Sequence, residues 1–343
     1  MNLLRSLGID LPVIQAPMAG AQDSALTIAV CNAGGLGSLP AAMLGADALR
    51  REIAAVRAAT ARPFNVNFSC HRVVAPDPGR EAAWRRTLAP YYRELGLDPA
   101  AIPDAPVRTP FDDTAAAIVE EFRPPVVSFH LGLPDAPLLA RVRATGATIL
   151  ASATTVAEAQ WLERAGIDAV VVQGLEAGGH RSHFLSDDLT LQSGLFALLP
   201  QVVAAVGIPV VASGGIADAA GVAGARALGA SIVQVGTAYL LCPEATTRAV
   251  HRDALVSEQA LHTALTRVFS GGPARGIVNR LMRELGDTAE VPEFPYGTTA
   301  IAPLRAAAEA RGSCEFSPLW CGQNASGCRA HPAAEVTRAL AGV

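Results

Sequence analysis

The residue in this chain best suited to proton transfer is His180. It follows Gly178 and Gly179, a few residues after an apolar run that ends at Gln173. Imidazole titrates near neutral pH, and paired glycines let a short loop fold tightly and direct the ring. A lone histidine is more often structural, but parallel α/β folds place their catalytic groups at the ends of strands. We therefore predict that His180 is catalytic.

Two glycine-containing segments indicate a phosphate site. Residues 213–215 end one apolar run and precede a helix that begins near Asp218, and residues 234–237 end the next run. Glycine lets backbone N–H groups approach phosphate oxygens, and a helix N-terminus adds favourable partial charge. A single glycine after a strand usually marks a turn, but two such signals on successive strands predict a ligand. The predicted contacts are Ser213, Gly214, Gly215, Gln234, Val235, Gly236 and Thr237.

Other polar and small residues also end apolar runs. Asn67 and Gln173 are amides that need hydrogen-bond partners when buried, and the edge of a planar cofactor would supply them. The alternative for each amide is a bond to a neighbouring loop. Ala16, Pro17 and Met18 form a backbone of restricted shape against which a planar ring can lie. We predict that all five residues contact a cofactor.

The positions of three other histidines in the sequence leave more than one role open for each. His130 stands near the end of its run, so it either points into the pocket or helps to close the top of the fold. His183 lies three residues after His180 and is either its partner or exposed. Both are candidates for a substrate pocket. His71 follows another run, and an ordinary loop role is favoured for it.

These candidates require a scaffold that brings the ends of strands together. Apolar runs that are continuous rather than alternating, as expected for strands buried on both faces, occupy residues 12–18, 36–39, 64–70, 126–131, 148–153, 169–173, 209–213 and 231–240. Between them lie alanine-rich stretches with helical periodicity, as at 23–32, 46–58, 155–165 and 218–228. Eight buried strands alternating with helices predict a (β/α)8 TIM barrel. An open doubly wound sheet is disfavoured because no glycine-rich dinucleotide turn follows the first run.

Two segments exceed a minimal barrel. Residues 71–119, with a helical pattern from 84 to 92, predict a helical insertion after the third strand. From residue 243 the strand signal stops, which predicts a helical C-terminal extension that packs back through Phe316 and Trp320. The sequence thus suggests a barrel over 1–242 and a C-terminal helical region over 243–343.

Composition narrows the class of protein. Half of the 343 residues are hydrophobic and the net charge is −4, so the core is large and no basic face for nucleic acid is expected. No run of about 18 apolar residues predicts a membrane span, and no signal peptide is apparent. We therefore expect a cytoplasmic protein with reduced cysteines. Its last three cysteines lack the close pairing of zinc sites, so no metal is predicted.

Nothing in the sequence favours either a monomer or a homodimer formed through the C-terminal helices.

The motifs resemble those of the nitronate monooxygenase family, formerly called 2-nitropropane dioxygenases. The most distinctive matches are Gln15-Ala-Pro-Met-Ala-Gly20 and Gln173-Gly-Leu-Glu-Ala-Gly-Gly-His180. Further matches lie at 32–37, 64–67, 127–132, 212–215, 234–237, 275–280 and 319–323, so the resemblance covers nearly the whole chain. The chain departs from the commoner pattern after Gly20, Ser38 and Cys70, near the predicted barrel mouth, where the departures affect the substrate rather than the cofactor.

The resemblance implies a barrel that binds FMN non-covalently and oxidises alkyl nitronates, with nitroalkanes as a second candidate substrate, using O2 to form a carbonyl compound and nitrite. By position in the motifs, Gly178 and Gly179 would contact the flavin, together with Asn67, Gln173, Gly215 and residues 234–237. His180 would be the base or the group that orients the substrate, and in a cationic form it would also hold the anionic nitronate. Two alternatives stay open. One is an NAD(P)H-dependent FMN reductase of quinones or enoyl thioesters on the same fold, and the other is a non-catalytic flavin binder.

Overall fold

Eight parallel strands form the centre of the fold. The structure is a computed structural model that describes residues 3–102, 108–286 and 290–343. The barrel strands, in chain order, are β1 (Val13–Gln15), β2 (Ser38–Pro40), β3 (Asn65–Ser69), β4 (Val126–His130), β5 (Thr148–Ala153), β6 (Ala169–Gln173), β8 (Val210–Ser213) and β9 (Ile232–Val235). The two-residue strand β7 (Gly179–His180) belongs to a second, smaller sheet. Seven of the eight predicted runs contain one of these strands, the run 36–39 overlaps β2, and the predicted TIM barrel is confirmed.

Neighbouring strands pair in parallel around the barrel. The order is β1-β9-β8-β6-β5-β4-β3-β2, and typical register pairs are Val13 with Val233 and Asn67 with Ser128. The remaining gap between β1 and β2 is bridged at Leu36. Its N–H donates to the carbonyl of Val13, and its own carbonyl accepts from the N–H of Gln15, both over 2.9 Å. These bonds close the barrel.

The inside of the barrel is apolar at one end and polar at the other. Because side chains alternate along a strand, inward positions recur every second residue. The lower inward positions, which include Ile14, Val126, Leu150, Val171, Val211 and Ile232, pack with Leu3 and Leu7 of the short helix α1 (Leu3–Leu7). Two residues further along the same strands come Ser128, Ser152, Gln173, Ser213 and Gln234. The sequence therefore places a packed apolar layer at the bottom of the barrel and a polar layer above it.

Helices surround the barrel, and several of them begin at a side chain that caps them. After α1 they are α2 (Ser24–Ala33), α3 (Ala46–Ala59), α4 (Pro78–Glu94), α5 (Asp113–Phe122), α6 (Ala136–Ala144), α7 (Val156–Arg164), α8 (Leu195–Ala205), α9 (Ala219–Ala227), α10 (Ala249–Val256), α11 (Arg280–Leu285), α12 (Gly297–Glu309) and α13 (Ala333–Ala341). Short 3-10 turns occupy Pro99–Ala101, Leu189–Leu191, Thr237–Tyr239 and Glu258–Leu261. Asp23, Thr155 and Asp218 each accept a backbone N–H bond at a helix start. Among the described residues, no helix combines the length and apolarity needed to cross a bilayer.

The segment between β3 and β4 contains one helix outside the barrel and one within its ring. Helix α4 packs through Trp84, Leu88 and Tyr92 against α12, and the Tyr92 hydroxyl donates to the carbonyl of Ala300 over 2.6 Å. Helix α5 instead packs beside α3 and α6. The predicted insertion over 71–119 therefore includes the first part of a regular barrel helix.

The C-terminal region is not exclusively helical, which corrects the expectation from the sequence. Strands β10 (Thr263–Thr266) and β11 (Ala274–Ile277) form an antiparallel sheet with the two-residue strand β7 (Gly179–His180). Both strands are short, and β11 carries Arg275, so neither produces a continuous apolar run. Their pairing depends on a loop that is distant in sequence, which local patterns do not reveal.

Helix α13 returns to the barrel and occupies the ring position between α2 and α9. The hydroxyl groups of Tyr239 and Thr337 hydrogen-bond over 2.9 Å, and both side chains are buried. The last helix is thus fixed to the segment that follows β9. The division of the chain at residue 242 stays a prediction.

We predict that Gly37→Ala destabilises the fold. A Cβ atom at residue 37 would lie 2.2 Å from the carbonyl oxygen of Thr27, on the backbone of α2, which has no room to move away from β2. Overpacking of this kind costs about 1–3 kcal/mol or more. Urea unfolding measures the difference. Gly224→Ala, at an exposed helical position with no atom within 4 Å of the new Cβ, is the control, and equal stability of the two variants would contradict the prediction.

Candidate active site

A cavity of about 320 Å³ opens at the carboxyl ends of the barrel strands. The upper polar layer forms its floor, and the C-terminal region forms part of its wall. Every residue predicted to contact a cofactor lines it, namely Ala16, Pro17, Met18, Asn67, Gln173, Gly178, Gly179, Ser213, Gly214, Gly215, Gln234, Val235, Gly236 and Thr237. His180 and His130 also line this cavity, whereas His183 does not.

The loop after β6 is fixed by its own side chains. The Gln173 amide donates from Nε2 to the carbonyl of His180 over 3.0 Å and accepts at Oε1 from the N–H of Ser182 over 2.9 Å. The buried guanidinium of Arg181 donates to the carbonyls of Gly174 and Gln173 over 2.7 and 2.9 Å. Gln173 therefore holds the histidine loop in place, which is the alternative role considered for it, while it also faces the cavity.

The His180 imidazole is enclosed by residues from the C-terminal region. Its Nε2 lies 2.8 Å from Oγ of Ser270, and its ring centre lies 5.1 Å from that of Phe294 and 5.5 Å from that of Trp320. Within the described residues Nδ1 has no hydrogen-bond partner. Serine thus engages one ring nitrogen and leaves the other for a ligand.

Burial lowers the pKa of His180 to about 3, and the positive charge of Arg108 contributes in the same direction. The imidazole is consequently neutral near pH 7, not the cation considered from the sequence. A neutral imidazole can donate or accept a hydrogen bond, but with so low a pKa it is a weak base toward carbon acids.

The glycine segments form a cradle of free amide groups. Within the described residues, the N–H groups of Gly214, Gly215, Gly236 and Thr237 donate no hydrogen bond to protein atoms. Gly214 and Gly215 have φ of 117° and 71°, which favours glycine at both positions. The Thr237 hydroxyl accepts the N–H of Gly322 over 3.0 Å, which fixes its position in the cavity wall. This arrangement suits a phosphate group.

A second part of the cavity wall contains polar atoms without partners. Oγ1 of Thr247 and Nε2 of His251 are buried, line the cavity and have no hydrogen-bond partner within the described part of the chain. Nearby, Glu309 accepts from both Arg305 and Arg248. Buried polar groups are normally satisfied, so these atoms indicate a ligand or ordered water in the cavity. A cofactor with a phosphate, a polyol chain and a polar ring fits this set of donors and acceptors.

The other three histidines considered from the sequence lie in different surroundings. Burial lowers the pKa of His130 to about 4, so this cavity residue is neutral as well. His183 is buried beside Asp187, with 3.5 Å between Nε2 and the carboxylate, and lies outside the cavity wall. His71 is bonded through Nδ1 to Oγ of Ser69 and through Nε2 to the carbonyl of Arg108, over 2.9 and 3.1 Å. It therefore anchors the segment that carries Arg108.

Four residues of the site were not predicted from the sequence as site residues. Ser270 and Trp320 line the cavity beside His180, Phe294 packs on the same imidazole, and Arg108 lines the mouth. Ser270 precedes a glycine pair at 271–272, a signal like the one before His180 that could have been noted. Arg108 and Phe294 have no comparable local signal, because tertiary packing alone brings them to the cavity.

This fold, with a histidine-containing cavity at the carboxyl ends of its strands, defines a TIM-barrel enzyme. Residues 2–341 match the family model described as nitronate monooxygenase. The chain is 43% identical to the nitronate monooxygenase of Paraburkholderia phytofirmans, over 98% of this chain and 93% of that protein. It is also 43% identical to the nitronate monooxygenase of Pseudomonas aeruginosa, over 98% and 97%. The crystal structure of the nitroalkane oxidase of Streptomyces ansochromogenes superposes with a TM-score of 0.90 at 39% identity, covering 99% of this chain and 96% of that one.

The chain therefore belongs to the nitronate monooxygenase family. It is an oxidoreductase that acts on a small molecule, and the resemblance found in the sequence is confirmed.

We predict that acid destabilises the protein partly through its buried histidines. Burial lowers the pKa of His251 to about 4, whereas an unfolded histidine titrates near 6.5. Between these values the unfolded state binds the extra proton, so stability falls as the pH falls from 6.5 to 4. In urea unfolding, His251→Gln should reduce this loss by about 1–3 kcal/mol. His331→Gln, at an exposed site beside Glu335, is the control. An unchanged pH dependence in His251→Gln would refute the assignment.

Proposed function

We propose that the enzyme is an FMN-dependent nitronate monooxygenase, which oxidises alkyl nitronates with O2 to carbonyl compounds and nitrite. The observation that carries the proposal is the cavity that a neutral His180 shares with a cradle of free amide groups. Family membership supports the same activity. A cytoplasmic location stays a prediction from the sequence, and the choice between a monomer and a homodimer stays open.

The cofactor assignment rests on the fit of the cavity. The amide groups at 214–215 and 236–237 would hold the phosphate of FMN, and residues 16–18 with Asn67 would contact its ring. Bound FMN would supply the electron-transfer chemistry that no side chain of this cavity provides. The wall formed by Phe294 and Trp320 around His180 limits access of bulk water to the reacting atoms.

The state of His180 favours a nitronate over a neutral nitroalkane as substrate. A nitroalkane must lose a proton from carbon before oxidation, and an imidazole with a pKa of about 3 is poorly suited to remove it. A nitronate has already lost that proton. In this proposal His180 orients the substrate by a hydrogen bond from the ring, while Ser270 holds Nε2 in place over 2.8 Å.

We predict that the purified protein is yellow and releases nitrite from propionate 3-nitronate in air with matching oxygen uptake. His180→Asn should lower kcat/KM at least about 100-fold, because the orienting group is lost, and should leave the FMN absorbance in place. His262→Asn, at an exposed position outside the cavity, should retain full activity. Full turnover by His180→Asn would exclude the assigned role.

Anaerobic addition of NADH separates the remaining alternatives. A nitronate monooxygenase should keep its flavin oxidised under these conditions. Rapid bleaching by NADH without nitrite formation would instead identify a reductase on the same barrel, to be tested with quinones and enoyl thioesters. Bound FMN with neither activity would indicate a non-catalytic flavin binder.

A further inference from the structure

Arg108 places a positive charge at the mouth of the cavity. Its partly buried side chain lines the cavity, and its Cζ lies 5.9 Å from the ring centre of Phe294. The same ring lies 5.1 Å from the His180 imidazole. The backbone of Arg108 is held by His71 through its carbonyl. The guanidinium therefore belongs to the immediate surroundings of the proposed catalytic histidine.

The charge of Arg108 is not balanced by a described carboxylate. Of the charged residues in the cavity wall, Arg248 and Arg305 both pair with Glu309. Arg108 forms no ion pair and donates no side-chain hydrogen bond within the described ranges. Its titratable neighbours are imidazoles: burial lowers the pKa of His71, His130 and His180, and the charge of Arg108 lowers it further.

A desolvated guanidinium normally has an anionic partner, because removing a charge from water without one is costly. The face of Phe294 offers partial compensation, but a cation–π contact with phenylalanine is weaker than a charge-assisted hydrogen bond. The imidazoles contribute no negative charge, whether neutral or protonated. The missing partner is thus an anion that enters the cavity.

We infer that Arg108 binds the two negatively charged oxygens of the nitronate group and so selects the ionised substrate over the neutral nitroalkane. This inference rests on the proposed function. A guanidinium can hold two oxygens of a planar anion by parallel hydrogen bonds. Arg108 would thus fill the anion-binding role that was considered from the sequence for a cationic His180.

Binding of nitrate, a planar anion that is not oxidised, tests the inference apart from turnover. Isothermal titration calorimetry of the FMN-loaded enzyme should show that Arg108→Met raises the Kd for nitrate about 10- to 100-fold, and that Arg108→Lys retains part of the affinity. Arg72→Met removes an exposed arginine from the same segment, outside the cavity, and should bind nitrate as the parent enzyme does. Equal affinity of Arg108→Met and the parent would overturn the inference.

Steady-state kinetics identify which anionic group is bound. For both propyl 1-nitronate and propionate 3-nitronate, Arg108→Met should raise KM about 10- to 100-fold with a smaller change in kcat. An effect confined to propionate 3-nitronate would mean that Arg108 binds the distant carboxylate, which contradicts the assignment. If the parent enzyme oxidises neither compound, the proposed function fails, while the nitrate titration still decides whether Arg108 binds anions.

Discussion

The backbone pairing of Gly179 and His180 with β11 is the interaction on which the site depends. It joins the loop after β6 to the C-terminal region, where Arg181 also donates its N–H to the carbonyl of Pro273 over 2.8 Å and the Arg275 side chain donates to the carbonyl of Leu175 over 2.8 Å. Through this pairing, Ser270 comes to lie beside the imidazole. The barrel alone would present His180 to solvent, and the C-terminal region converts that exposed loop into an enclosed site.

Enclosure determines the electrostatics of the cavity. Imidazoles removed from water lose the stabilisation of their charged form, so His130 and His180 are neutral, while a guanidinium keeps its charge at any ordinary pH. Positive charge near the mouth therefore comes from Arg108, and hydrogen bonding comes from the histidines. Histidine and arginine can both be cationic in water, so the sequence does not separate their roles. Burial separates them, because it neutralises histidine and leaves arginine charged.

Sequence patterns predicted the parts of this structure that depend on local order. The eight strands, the glycines at 214–215 and 236–237, and His180 all follow from apolar runs and the residues that end them. Strands β10 and β11 could not be predicted, because their partner is distant in the chain and too short to leave a pattern. Arg108 and Phe294 were missed for the same reason, and His183 shows that nearness to His180 in sequence does not place a side chain in the cavity.

The position of α13 has a consequence for how the chain is made. The helical ring has a gap between α2 and α9 until residues 333–341 fill it, although all eight barrel strands lie before residue 236. During translation, the strands therefore emerge from the ribosome long before the segment that covers the side of β1, and apolar surface on α2 stays open in the meantime. A nascent chain therefore keeps this apolar surface exposed, and is prone to aggregate, until residues 333–341 have emerged and docked.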